Sequence, residues 1–154
     1  MCVKVTEMRK ILPISLLAGL FGLIGGTFVW WGAIGDGYEL FPAAAALAAF
    51  GATAFFWWLI VVRRNNYTVK AGLLAGGLSG LVSHWLCWYL LIIGANACYW
   101  LTGDCLSSLG DQPIDPLNGL WGALFFSLFS LLFVGWMTVP LGMVVGAAWV
   151  WRKR

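Results

Sequence analysis

The chain has 154 residues, 62% of them hydrophobic and 10% charged, with a formal net charge of +3. Soluble globular domains carry about a quarter of their residues as charged side chains, so this composition excludes a water-soluble fold and implies an all-α integral membrane protein. The basic excess does not mark a nucleic-acid partner, because the nine basic residues fall in three places only: Lys4, Arg9 and Lys10; Arg63, Arg64 and Lys70; and Arg152, Lys153 and Arg154. Each group flanks an apolar run, the pattern of basic residues on the cytoplasmic side of membrane spans.

The first apolar run, 11–34, is long enough to cross a hydrocarbon core of about 30 Å at about 1.5 Å per residue. A signal peptide would be shorter and would end in small residues, whereas Trp30 and Trp31 stand here, so the run reads as a retained span. Residues 35–41 form an outer loop, in which Gly35, Asp36 and Gly37 suit a tight reversal. Pro42 fits the first turn of a second span over 42–62, which is stopped by the inner loop 63–68. The third span covers 69–97, and the longest polar segment, 98–116, follows as the second outer loop. The fourth span, 117–151, exceeds what a perpendicular helix needs and should tilt or bend. Pro140 inside it should kink the helix, with the freed carbonyl satisfied by a neighbour or by Thr138.

Four spans in a single membrane domain, arranged as two hairpins, put both termini on one side. The basic residues assign that side to the cytoplasm, and five of the six acidic residues, Asp36, Glu39, Asp104, Asp111 and Asp115, fall in the two opposite loops. The expected location is a bacterial inner membrane. The sequon Asn66-Tyr67-Thr68 then lies on the side that glycosylation does not reach. The two hairpins read as a parallel repeat: Leu16-Leu17-Ala18-Gly19 matches Leu73-Leu74-Ala75-Gly76. With Gly77 as one inserted residue, Gly22 meets Gly80, Trp30 meets Trp88, and Gly26 meets His84.

Small residues recur at helix-packing spacing: Ala18, Gly22 and Gly26; Ala44, Ala48 and Ala52; Gly72, Gly76 and Gly80; Gly142 and Gly146. In lipid, close backbone approach replaces the hydrophobic effect as the force that joins helices, so these rows should form interfaces within the chain, with a second copy or with another subunit. Of the eleven tryptophans, Trp30, Trp31, Trp100, Trp121, Trp149 and Trp151 suit headgroup anchoring. Trp57 and Trp58 are deeper, while Trp85, Trp88 and Trp136 are deep enough to fill a bundle or to pack on a flat ligand.

His84, the only histidine, lies near mid-membrane. It could join helices by hydrogen bonds, ligate haem or chlorin through a neutral imidazole, or relay protons. Cys98 and Cys105 flank a short outer segment and could form a disulfide. A thiol-oxidase role would need a second reactive pair, and Cys2 and Cys87 are on the inner side and within the membrane. No catalytic or metal-binding motif stands out, and no cofactor is predicted beyond the haem or chlorin alternative. The sequence therefore points to a non-catalytic protein whose partners are the bilayer and other membrane subunits or itself, no nucleic acid among them. A small transporter or channel, and a haem- or chlorin-binding protein using His84, are the alternatives.

Overall fold

The computed structural model describes residues 5–33, 38–105 and 110–152, and every regular element among them is helical. Helix α1 spans Val5–Gly32, α2 Phe41–Trp57, α3 Val69–Thr102, α4 Pro116–Ser130 and α5 Trp136–Trp151. A π turn, Trp58–Val62, ends α2, and another, Leu131–Gly135, joins α4 to α5 in one continuous rod. Four stretches are long and apolar enough to cross a membrane: Glu7–Gly32, Phe41–Val62, Val69–Thr102 and Pro116–Trp151. The expected reversal at Gly35, Asp36 and Gly37, along with Cys2, Lys4, Lys153 and Arg154, lies outside the described residues.

The helix ends follow local chemistry. Thr68 caps α3 by accepting from Ala71 N, and Asp115 caps α4 by accepting from Leu117 N and Asn118 N, satisfying donors that have no partner within a first turn. Helix α3 runs five residues past the expected end at Ala97, because no left-handed stop occurs before Gly103. That residue, at φ 76°, turns its N–H back to Tyr99 O at 2.9 Å. Cys98 and Cys105 are joined by a disulfide across this turn. The outer segment is tied to α3 a second time by Asn96, whose amide donates to Ile114 O at 2.8 Å.

The spans pack as a chain of neighbours, α1 on α2, α2 on α3, and α3 on α4 and α5, while α1 makes no extended contact with α4 or α5 among the described residues. All four spans converge at the end that carries Arg63 and Arg64, where Ile14, Trp57, Val61, Ala75 and Val150 form a buried core. Ala44, Ala48 and Ala52 are buried in a row, and Phe41, Ala44, Ala48 and Cys87 form a second core between α2 and α3. Lys10 over the Tyr67 ring and Arg63 over Trp58 gather cations at the first end, and Asp104 and Asp115 lie at the other.

Candidate functional site

The glycine rows set how closely the helices approach. On the α3–α5 face, a Cβ on Gly72 would come 2.5 Å from Gly146 O, and one on Gly142 would come 2.6 Å from Gly76 O; Gly76 and Gly146 are obstructed reciprocally. Gly80 continues the row, where an added Cβ would come 3.2 Å from Thr138 O. In the first hairpin, a Cβ on Gly22 would come 2.5 Å from Ala45 O and one on Gly26 2.7 Å from Pro42 Cα. Each hairpin therefore uses the glycine row of its first helix to seat its second, with backbone against backbone.

His84 stands one turn beyond Gly80 on the same row. Its Nδ1 lies 2.7 Å from Ser130 Oγ and its Nε2 2.8 Å from Thr138 Oγ1. Thr138 Oγ1 in turn donates to Val134 O at 3.3 Å. A hydroxyl has one proton, so with that proton committed Thr138 accepts from Nε2–H, and Ser130 donates to Nδ1 of the neutral ring. The result is a directed chain of hydrogen bonds from α4 through α3 to α5. Both ring nitrogens are engaged, so axial ligation of a haem or chlorin would require one of these bonds to break.

The π turn makes this bridge possible. Ser130 and Thr138 are eight residues apart, and in an unbroken α-helix they would face directions about 80° apart. A π turn absorbs one extra residue, so the pair stands as if seven apart, within about 20° of alignment. Two backbone carbonyls at the turn also accept from side chains. Thr138 serves Val134 O, and the Trp136 indole N–H serves Phe133 O at 3.0 Å. The irregularity thus lies before Pro140, which α5 carries within its length, and Thr138 does not serve the Trp136 carbonyl that proline frees.

The deep tryptophans separate into two kinds. Trp88 packs inside, between Phe41 at 5.6 Å and Phe126 at 5.1 Å, and Trp85 stacks on Tyr89 and donates to Leu120 O. Trp136 points outward and is 68% exposed, so of the two roles its depth suggested it does not take the first, filling the interior of this bundle. It ends an outward ridge of Trp121, Phe125, Phe129 and Phe133, all exposed and spaced so that neighbours share one row of the helix surface.

Because α1 does not close against α5, a cleft of about 420 Å³ lies between them, with α2 and α3 as its floor. Its wall is apolar apart from His84 and the hydroxyl residues Thr53, Ser79, Ser83, Ser130 and Thr138, and among the described residues no Asp, Glu, Lys or Arg lines it. Ile14 and Trp57, members of the four-helix core, bound it toward the basic end. Sequence reasoning singled out His84 but missed Ser130 and Thr53 and linked Thr138 only to the carbonyl freed by Pro140; the rarity of polar residues within the spans was the available signal.

The chain matches no protein-family model, no curated protein and no solved structure.

Proposed function

We propose that this is a multi-pass protein of a bacterial inner membrane with both termini in the cytoplasm, acting as a non-catalytic subunit that assembles laterally with itself or with a larger membrane complex. The cations at one end and the carboxylates at the other support the orientation through the bias of basic residues toward the cytoplasm.

The ridge from Trp121 to Trp136 carries the assembly reading. Headgroup anchoring accounts for rings near the membrane surface, but Phe129, Phe133 and Trp136 occupy the middle of a span and project away from the chain's own helices. A row of large rings at that depth offers a partner helix the dispersion contacts on which association in lipid depends. The transport alternative finds less support, because the cleft ends on the apolar core around Ile14 and Trp57. The haem or chlorin alternative meets a histidine whose two nitrogens are already bonded.

The test is purification in mild detergent and in nanodiscs, comparing the native chain with a Phe125→Leu, Phe129→Leu, Phe133→Leu variant that keeps the span apolar. The native chain should self-associate or retain a copurifying membrane protein, and the variant should lose that association. A native chain that is monomeric and alone under both conditions sinks the reading.

A further inference from the structure

We infer that the cleft between α1 and α5 is a binding site for one extended hydrocarbon chain, acyl or isoprenyl, of a neutral membrane lipid whose hydroxyl or carbonyl group pairs with Thr53. The inference rests on the membrane placement proposed above and is independent of lateral assembly.

The dimensions select the occupant. Along α1 the cleft runs from Ile14 to Val29, a rise of about 22 Å. The volume of about 420 Å³ is the space open to the centres of water molecules, so over that length, with a water radius of about 1.4 Å added on each side, the cleft is about 8 Å across. A helix with its side chains is about 10–12 Å across, too thick to enter. A single chain of methylenes or isoprene units is narrow enough, and the seam between α1 and α5 opens sideways, through Phe21 and Met137, toward the lipid.

Charge selects the head group. With no ionic side chain on the wall among the described residues, a phosphate or ammonium drawn inside would be buried without a partner there, at a cost that the apolar contacts do not offset. A neutral polar group does have a partner. Ser15, Thr27, Ser79 and Thr102 each donate to the carbonyl four residues earlier, the usual resolution for a hydroxyl inside an apolar helix. Thr53 is only 8% exposed, lines the cleft, and makes no such bond among the described residues. Its hydroxyl is therefore available to donate to a carbonyl or hydroxyl oxygen. The Ser130–His84–Thr138 chain has all its protons committed and offers only lone pairs to the same space.

Gly25 supplies the control. It lines the cleft, yet a Cβ there would meet no atom within 4 Å, so a large side chain at this position occupies the cleft without disturbing the glycine contacts.

The experiment places the full chain in phosphatidylcholine nanodiscs doped with one diazirine-bearing probe at a time: diacylglycerol, a prenol, or phosphatidylglycerol carrying the same acyl chain. Adducts are mapped by peptide mass spectrometry. At least one neutral probe should label Ile24, Met137 and Leu141 on the cleft wall roughly fivefold more densely than the outward Leu47 and Leu128, and more than the charged probe does. The better neutral probe identifies the chain as acyl or isoprenyl. Gly25→Phe should lower wall labelling roughly fivefold, and Thr53→Val should lower it roughly threefold or more, as expected for a lost neutral hydrogen bond. Uniform labelling of wall and outer faces, equal capture of charged and neutral probes, or labelling undiminished in Gly25→Phe overturns the inference. Recovery in the carbonate-resistant membrane fraction is measured first. Absence there defeats the membrane placement, whereas an embedded chain with uniform labelling defeats the cleft inference alone.

Discussion

Gly76 and Gly142 face each other across α3 and α5 so closely that neither position has room for a Cβ, and the backbone of one is what blocks the other. A flexible side chain could move aside, but a carbonyl within a helix cannot without separating the whole interface. Gly142→Ala should therefore cost about 3 kcal/mol, the upper end for overpacking. Gly25→Ala and Gly122→Ala, where a Cβ meets nothing within 4 Å, should be neutral or gain up to about 1 kcal/mol from helix propensity. Unfolding in mixed micelles, followed by tryptophan fluorescence, distinguishes the two outcomes. Equal effects at Gly142 and Gly25 would show that the glycine row is not the contact.

The imidazole of His84 joins three helical segments through two hydroxyls. Interhelical hydrogen bonds in membranes contribute about 0.6 kcal/mol on average and up to about 1.7 kcal/mol. A cycle built from His84→Ala and Thr138→Val should give a coupling of about 1 kcal/mol. The corresponding cycle with Ser83→Ala should give almost none, since Ser83 is bonded to Gly80 O within its own helix. Additive effects at His84 and Thr138 would remove the bridge as a stabilising element.

Four helices long and apolar enough to cross a membrane were legible in the sequence because each is a long, nearly uncharged run, and the glycine spacing marked one face on each of α1, α3 and α5. Spacing within one helix carries no information about the opposing surface, so the pairing of Gly72 with Gly146 and of Gly76 with Gly142 had to come from the structure. The ends were less legible. Residues 98–102 look like loop beside the polar segment, yet they stay helical until Gly103 supplies the positive φ that stops them. The bridge was legible only in part: His84 read as a residue able to join helices by hydrogen bonds, but its partners did not, because Ser130 and Thr138 share a face only through a π turn that has no marker in the sequence. Trp136 faces outward, a direction that depth alone, which allowed bundle filling or packing on a flat ligand, did not give.

The Cys98–Cys105 disulfide closes a short loop at the end opposite Arg63 and Arg64. A loop of this length stabilises by about 2 kcal/mol in the chain-entropy account, so Cys98→Ser with Cys105→Ser should lower stability by about that amount and leave the spans in place. It also reports topology. After reduction in intact cells, an impermeant maleimide should label both cysteines, while Cys87, buried between α2 and α3, should remain unlabelled until the protein is denatured. Labelling that requires permeabilised cells would reverse the orientation.

The π turn at Leu131–Gly135 yields a prediction opposite to the usual one for a deletion inside a membrane helix. Removing one residue from a regular helix rotates everything beyond it by about 100° and misaligns every contact on one side. Removing the extra residue of a π turn restores ordinary α-helix and leaves both flanks facing as before. Ser130 and Thr138 then become seven apart in a continuous helix and still converge on His84. Leu132 is the residue to delete, since it is 75% exposed and its side chain contributes nothing to the core. The Leu132 deletion should fold and retain the His84–Thr138 coupling. Deletion of Leu124, also exposed but in regular α4, should either rotate Gly119 away from Ile92 or rotate Phe126 away from Trp88 together with Thr138 away from His84, and lower the folded yield sharply. Comparable losses from the two deletions would mean that the turn is not an inserted residue.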